Sequence, residues 1–378
     1  SLSGTNAGDY QLSATTRDVT ATISKKASTI SVTIKGTNTY GSELTADYET
    51  DGDGDKTYTW YKESISDSNK IYESTTTNKY IVGTGLVGKK IYVKVTVADG
   101  ANYTGSSAND VTDSTENGTE TVSKKTLDVS KFTYSPTTKV YDGTTGKPSG
   151  FAVTATTTAG LVSGDSVTVS YTGAVYNNAN VASANKITVS GMSLSGTNAG
   201  DYQLSATTRE VAATITKADA TNTAKITGTN TVGQTLTATT ETNSDGTKSY
   251  QWFKADDTNG TNKVNLGTGS TYLLKTTDVD KYIGVTISIA EAANYKAATD
   301  STDYTDAGNN QSAKVAAESF EVTVSPTNGD YTGSAHTPTV TVKNSQGTTL
   351  TNNTHYTLSW TADMTNVGTK TVTVTGQG

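Results

Sequence analysis

The sequence predicts an all-β protein built from several small β-sandwich domains in tandem, and three observations lead to this. The chain has 378 residues, enough for three or four domains of ordinary size. Its 21 Tyr residues and abundant Thr favour strands, whereas its 35 Gly residues and frequent Asn favour turns. Finally, a long stretch of sequence recurs within the chain, which is the signature of a repeat architecture.

The individual strands are predicted from the alternation of apolar and polar residues, which marks a strand with one buried face. Ile91–Val97 alternates in this way, and residues 283–289 repeat the pattern. Clusters of Gly, Asn and Asp between such segments, for example residues 51–55 (DGDGD), indicate turns. Short strands at close spacing, separated by turns, are typical of a β-sandwich or barrel.

A repeat of 192 residues organises the chain. Residues 1–17 recur unchanged at 193–209, a shift of 193 − 1 = 192. The same shift relates Trp60 to Trp252 without a gap. A unit of this length is too long for one small repeat, and breaks in its pattern divide it into two domain types, A and B.

The predicted domain boundaries follow from this repeat. Because the junctions at residues 24–27 and 216–219 are short, we expect neighbouring domains to lie end to end in an elongated rod. We also expect the chain to be a fragment of a longer array. The predicted segments are the end of a B domain at 1–26, a first A domain at 27–124, a B domain at 125–217, a second A domain at 218–312, and a C-terminal segment of a third type, complete or cut short, at 313–378.

Four aromatic residues are predicted to lie in the domain cores. Trp60 and Trp252 stand mid-strand after a turn, as the core Trp of an immunoglobulin domain does. Tyr202 follows residues 198–201 (NAGD), which resemble the turn before a tyrosine corner, where the Tyr hydroxyl bonds back to the turn backbone. Tyr10 repeats this arrangement. These features favour immunoglobulin-like sandwiches.

Three segments of type B carry a family resemblance. Residues 140–145 (VYDGTT), 198–202 (NAGDY) and 213–218 (ATITKA) together resemble the YDG repeat of bacterial surface proteins. Type A, with residues 233–238 (GQTLTA) and 250–253 (YQWF), is similar to another bacterial immunoglobulin-like repeat. The resemblance implies an extracellular position on the bacterial cell surface, in the stalk of an adhesin. It implies no catalytic residues.

Two functions follow as hypotheses from different classes. The first is a non-catalytic stalk of an adhesin or surface-layer protein, whose partners are the neighbouring domains of the chain. The alternative is a region that binds a glycan or a host protein through loops or an exposed aromatic such as Trp360. The same exposed cluster in both A domains would favour binding, whereas matching cores with different surfaces would favour the stalk. The loops at 63–69 and 255–261 differ, which favours the stalk.

Composition restricts the classes of partner. The net charge is −7 and the charges are scattered, which is unfavourable for nucleic acid or an anionic membrane surface, since both need clustered Lys and Arg. The sequence contains no membrane span and no cysteine, so neither a disulfide nor a thiolate metal site is predicted.

The motifs that suggest a cofactor are weak. Residues 83–88 (GTGLVG) spell a dinucleotide fingerprint, but an alternating strand follows instead of a helix, and residues 275–280 of the repeat copy contain no glycine. We therefore predict no enzyme and no nucleotide cofactor.

A calcium loop is suggested by the spacing of Asp51, Asp53 and Asp55. An EF-hand loop also requires Gly at its sixth position and Glu at its twelfth, where this chain has Lys56 and Lys62. The prediction is a charged hairpin tip, with these three carboxylates kept as a weak candidate site for Ca²⁺.

Two further features are weighed against surface or structural roles. His336 and His355 are the only histidines, and we predict that both are surface residues. A covalent Lys–Asn crosslink, as in some bacterial pilin-like domains, would need Lys, Asn and a carboxylate to converge in an apolar core, which the sequence does not establish.

Overall fold

The computed structural model describes residues 1–14, 16–302 and 313–377. The protein is all-β, with 42% of its residues in strands that form many small sheets. The helical turns among the described residues are short 3₁₀ turns at Ala7–Asp9, Asp67–Asn69, Val129–Lys131, Thr157–Ala159, Ala199–Asp201 and Thr276–Asp278. The chain forms two compact units, of which the first comprises residues 1–137, 146–177 and 186–213 and the second residues 138–145, 178–185 and 214–378.

In the first unit, the first A domain has two sheets around one core. A three-stranded sheet has the order β2-β3-β6 and a four-stranded sheet the order β5-β4-β7-β9, while β1 and β8 form a short parallel pair. The strands are β1 (Lys26–Ala27), β2 (Ile30–Lys35), β3 (Glu43–Thr50), β4 (Lys56–Lys62), β5 (Lys70–Ser74), β6 (Lys79–Ile81), β7 (Ile91–Val97), β8 (Tyr103–Thr104) and β9 (Ser106–Val111).

The core of the first A domain draws apolar residues from both sheets. Ile34 and Leu44 come from the three-stranded sheet, and Trp60 and Val93 from the four-stranded sheet; all four are fully buried. Strand β7 alternates between buried and half-buried residues along its whole length, which confirms the strand predicted there. Alternation places one face of the strand on the core and leaves the other accessible to water.

The first unit also contains most of the B domain, as short strands in small sheets. The pairs are β10-β18 (parallel), β11-β13 and β14-β17, and one sheet has the order β15-β16-β19. The strands are β10 (Lys125–Leu127), β11 (Thr133–Ser135), β13 (Ala152–Thr154), β14 (Thr168–Ser170), β15 (Gly173–Tyr176), β16 (Lys186–Ser190), β17 (Ser193–Ser195), β18 (Tyr202–Leu204) and β19 (Arg209–Ala212).

In the second unit, a parallel pair of β12 (Thr138–Val140) with β20 (Thr214–Thr216) precedes the second A domain. This domain repeats the two-sheet arrangement, with sheets β21-β22-β25 and β24-β23-β26-β27. Its strands are β21 (Thr223–Thr227), β22 (Thr235–Glu241), β23 (Lys248–Ala255), β24 (Val264–Asn265), β25 (Thr271–Leu273), β26 (Tyr282–Ile289) and β27 (Ala298–Ser301).

The C-terminal segment forms two antiparallel strand pairs. They are β28 (Phe320–Ser325) with β29 (Thr339–Asn344), and β30 (Tyr356–Trp360) with β31 (Val372–Gly376). Val315, which the predicted boundary assigned to this segment, is buried in the core of the second A domain and bridges to Val279. Val122 bridges to Val87 in the same way in the first A domain, so each A domain is closed by a segment at its C-terminal end.

Candidate functional site

The two tryptophans predicted as core residues occupy equivalent buried positions. Trp60 and Trp252 are both 0% exposed, and each stacks on a tyrosine, with ring centroids 5.4 Å apart for Trp60–Tyr80 and 5.7 Å for Trp252–Tyr272. The indole Nε1 of Trp252 donates to the Gly269 carbonyl at 2.8 Å. The indole Nε1 of Trp60 is buried without a hydrogen-bond partner. The two residues occupy equivalent positions, but only the indole N–H of Trp252 has a hydrogen-bond acceptor.

The two tyrosines of the identical 17-residue segments differ in burial. Tyr202 is 2% exposed, as predicted for a core residue, whereas the prediction for Tyr10 is wrong, because its side chain is 73% exposed. Tyr202 lies in β18, which pairs with β10 of the B domain. Residues 1–14 and 16–24 contain no strand, so Tyr10 has no sheet to bury it. Burial here depends on the elements that pack around the tyrosine and not on its local sequence.

The Tyr202 hydroxyl does not form the predicted tyrosine corner. It accepts a hydrogen bond from the Val162 backbone N–H at 2.9 Å and donates to the Asp165 carboxylate. Burial, followed by the hydrogen bond to Asp165, raises the pKa of Tyr202 to about 12. The partners therefore lie in the loop before β14 and not in the turn that precedes Tyr202.

A cluster at the contact between the first A domain and the B domain contains this tyrosine. Tyr40 of the A domain donates to the same Asp165 oxygen at 2.8 Å, and its ring packs edge-to-face on Tyr202 at 5.3 Å and 79°. Close by, the Thr84 hydroxyl donates to Asp201 at 2.6 Å. Burial and the hydrogen bond to Asp165 also raise the pKa of Tyr40. Two buried phenols thus share one carboxylate across a domain boundary.

In the second unit, residues 141, 180 and 181 of the B domain contact Asn294 and Tyr295 of the second A domain. We call the part of an A domain that contains these two residues its base. Asn294 accepts a hydrogen bond from the Val181 N–H at 2.9 Å and donates to the Asn180 side chain at 3.0 Å. The Tyr141 and Tyr295 rings pack edge-to-face at 5.4 Å. Tyr141 belongs to the VYDGTT segment of the family resemblance, but no contact was predicted for it or for the three Asn and Val residues.

Lys217, the last residue of the B domain, extends this contact. Its ammonium bonds the Ala292 carbonyl and Glu291, both at 2.6 Å, and the ion pair lowers the pKa of Glu291. At the equivalent position of the first repeat, Lys25 lies 3.8 Å from Asp99. The ion pair at the start of an A domain is therefore present in both copies.

A buried charge lies in the second A domain where the first has an apolar residue. Asp278 is 0% exposed and accepts hydrogen bonds from the Tyr272 hydroxyl at 2.7 Å and the Lys254 ammonium at 2.9 Å. Burial alone raises the pKa of Asp278, but the hydrogen bonds from Lys254, the Lys275 N–H and Tyr272 together hold it below its ordinary value. The position 192 residues earlier is Leu86, which is 4% exposed.

The three carboxylates of the candidate calcium loop have separate partners. Asp51 accepts from the Thr29 N–H at 2.6 Å and from Lys26 at 3.1 Å, and these bonds lower its pKa to about 2. Asp53 accepts from the Asn102 N–H at 3.0 Å, which lowers its pKa. Asp55 is exposed. Within the described residues no group of three His, Asp or Glu side chains is arranged to hold a metal, so the Ca²⁺ candidate is not supported.

A cleft of about 820 Å³ lies in the C-terminal segment. Trp360, Tyr331, His336 and Asn366 line it, and Tyr331 is 65% exposed. His336 is exposed, as predicted. His355 is also exposed, and its Nδ1 accepts a hydrogen bond from the Thr351 N–H at 3.0 Å. The cleft combines aromatic faces with side chains that can form hydrogen bonds, a typical composition for a small-molecule site.

Comparison with known families identifies one domain of the chain. A YDG domain lies at residues 123–210. These bounds nearly coincide with the predicted B domain and confirm the resemblance of that domain. Comparison with curated proteins gives no match. No helix among the described residues is long and apolar enough to cross a membrane.

Only some of the residues at the contact between the first A domain and the YDG domain could be found from the sequence. Tyr40 aligns with Val232 at the 192-residue shift, so a difference between the copies marks the contact with the YDG domain. Asp165 carries no such mark, because the chain contains a single copy of residues 125–192. Its role depends on which loop the fold brings to Tyr202.

Proposed function

We propose that the chain is a non-catalytic structural spacer, in which immunoglobulin-like A domains and the YDG domain lie end to end in the stalk of a bacterial cell-surface protein. The observation that carries the proposal is the contrast between cores and surfaces of the A domains. Trp60 and Trp252 are buried alike, whereas the exposed Tyr72 corresponds to Val264 in the second copy. A spacer needs stable, repeated cores and no shared recognition surface.

The domain contacts also support the spacer. Tyr40 shares the Asp165 carboxylate with Tyr202, and Asn294 bonds Asn180 and Val181. Contacts of this kind limit the freedom of one domain against the next, because separating the domains breaks these hydrogen bonds and exposes the packed rings of Tyr40 and Tyr202 to water. Limited movement between neighbouring domains suits a spacer, because it keeps the two ends of the spacer apart.

The test places the chain between a cell-surface anchor and an epitope tag and measures how well a large antibody reaches the tag. Deleting residues 27–218 removes one period and keeps the repeat in register, since residue 219 aligns with residue 27. We expect the deletion to reduce antibody binding, and an unrelated tandem of β-domains of the same length to restore it. Failure of the unrelated tandem would show that the domains themselves, and not their length, matter.

A second candidate function is glycan binding, which the cleft around Trp360 favours. Aromatic faces stack on sugar rings, and Asn366 and His336 at the same cleft can form hydrogen bonds. A glycan-array screen of the chain, with Trp360→Ala as the paired variant, tests this function. A specific hit that the variant loses would establish binding, and a screen without such a hit would remove the support for this second function.

A further inference from the structure

We propose that the tip of the first A domain, formed by Tyr40, Gly41 and Thr84, is a docking surface specific for a YDG domain, and that the same tip of the second A domain lacks this specificity. The tip would then decide which domain type can follow an A domain. The inference does not depend on the spacer function, because it concerns the match between two domains of the chain.

The Tyr40 hydroxyl provides the chemical part of the match. Both Tyr40 and Tyr202 donate to one oxygen of Asp165, and the two tyrosines are 4% and 2% exposed. Asp165 itself is half-buried, whereas the two phenol groups that donate to it are buried, and a buried hydroxyl that loses its acceptor is destabilised. The A domain supplies one donor and the YDG domain the other donor and the acceptor, so the A domain needs the YDG domain to satisfy Tyr40.

Gly41 and Thr84 provide the shape. Gly41 has φ +72°, which favours glycine, and a Cβ at this position would lie 2.9 Å from Cγ2 of Val162 in the YDG domain, so a larger residue would have to displace Val162. Thr84 adds the hydrogen bond of 2.6 Å to Asp201. Three neighbouring residues of the tip therefore each meet a different feature of the YDG domain.

The tip of the second A domain differs at the position that matters. Val232 replaces Tyr40 and cannot donate a hydrogen bond, although its backbone N–H bonds Ala316 at 3.0 Å, as that of Tyr40 bonds Ser123 at 3.0 Å. Gly233 is met by the Gln346 amide of the C-terminal segment, which donates to its carbonyl at 3.5 Å. The backbone of the tip is thus preserved while the group that would bond an Asp165 is missing.

The base of the A domains shows the opposite pattern. Asn294 and Tyr295, which contact residues 141, 180 and 181, correspond to Asn102 and Tyr103 in the first A domain. The Asn and Tyr that contact a YDG domain at the base are therefore kept in both copies, whereas Tyr40 of the tip is not. This difference is expected if both A domains can follow a YDG domain but only the first can precede one.

The first arm of the test measures the junction in the complete chain. Since the chain has no cysteine, Thr75→Cys and Thr168→Cys place two spin labels at exposed positions, one in each domain. We expect a narrow distance distribution that broadens by about twofold in Tyr40→Val, and less in Tyr40→Phe, which keeps the ring. Asp165→Asn should broaden it as well.

The matched control is Tyr48→Phe, which removes a hydroxyl bonded to Tyr58 within the same A domain, away from the junction. Circular dichroism establishes that each variant is folded, and Tyr40→Phe keeps the test decisive if Tyr40→Val unfolds. An unchanged width in both Tyr40 variants, or equal broadening in the control, would overturn the proposal.

The second arm tests specificity by gain of function. Residues 317–378 are replaced by a second copy of residues 124–217, which keeps the register because Ala316 aligns with Ser123 at the end of the A domain. Spin labels in the second A domain and the added YDG domain should give a broad distribution with Val232 and a narrow one with Val232→Tyr. Equal widths with and without Val232→Tyr would show that the tip does not select its neighbour.

Discussion

The first and second A domains have matching cores, but they differ at the buried position of Leu86 and Asp278, at the turn of Asp51 and Asn243, and at the tip. Residues of the central strands match in kind and burial, such as Ile34 with Ile226 and Val93 with Val285. Leu86, in contrast, corresponds to the buried Asp278, and Asp51 to Asn243. At the edge of its core, the same two-sheet domain therefore accepts either the apolar Leu86 or the charged Asp278, because the Asp278 carboxylate has hydrogen-bond partners.

The largest effects are expected from the shared core. Trp60→Ala and Trp252→Ala should each destabilise their own domain by about 3–5 kcal/mol, the usual cost of removing a buried aromatic ring. Hydrogen exchange of amides in β7 reports on the first domain and in β26 on the second. Thr75→Ala, at an exposed position outside the strands, is the control. A loss below about 1 kcal/mol for either Trp would contradict the equivalence of the two cores.

Substitution of the buried Asp278 in the second A domain should give the next largest loss of stability. Asp278→Ala leaves the Lys254 ammonium without its carboxylate and is expected to cost about 3 kcal/mol, at the low end for a broken buried pair since Lys254 is partly exposed. Asp278→Leu copies the first domain, restores packing and should cost less. Hydrogen exchange in β26 measures both variants. Equal losses would show that the lost ion pair and hydrogen bonds of Asp278, and not the lost volume, account for the cost.

The indole hydrogen bond distinguishes the two tryptophans by a smaller amount. Trp252→Phe removes the donor from the Gly269 carbonyl, whereas Trp60→Phe removes an N–H that has no partner. We expect the Trp252 variant to lose about 1 kcal/mol more than the Trp60 variant. Chemical denaturation, monitored by hydrogen exchange in β7 and β26, compares them. A larger loss for Trp60→Phe would reverse the interpretation.

The smallest expected effect is a difference in acid sensitivity. The folded pKa of Asp51, about 2, lies below that of an unfolded Asp, so its stabilisation is present at neutral pH and is lost as the pH falls from about 4 to about 2. Asn243 accepts from the Thr221 N–H at 2.8 Å in the same place and does not titrate. Asp51→Asn should therefore flatten the acid dependence of the first domain.

Calorimetry between pH 2 and pH 7 measures this difference. The transition of the first A domain is the one that Trp60→Ala shifts. Asn243→Asp is the reciprocal variant and should introduce the acid dependence into the second domain. An acid dependence unchanged by Asp51→Asn would assign the effect to other carboxylates.

Much of each A domain could be predicted from its sequence. The alternation of Ile91–Val97 predicted a strand with one buried face, and the 192-residue shift predicted that Trp60 and Trp252 occupy equivalent sites. These properties depend on local periodicity, which residues within one strand determine. The burial of Tyr10 was mispredicted because it depends on distant elements: 17 identical residues leave Tyr10 exposed and Tyr202 buried.

The sequence by itself determined the all-β class, the two domain types with their repeat, and the YDG domain at residues 123–210. Only the tertiary structure decided that Asp165 meets Tyr40 and Tyr202, that Asp278 pairs with Lys254, and that Asp51 and Asp53 bind separate backbone groups. The physical reason is that the alternation of apolar residues predicts which face of a strand is buried, whereas no sequence pattern predicts the partner of a single carboxylate. Which donor it meets is fixed by how loops far apart in sequence are brought together.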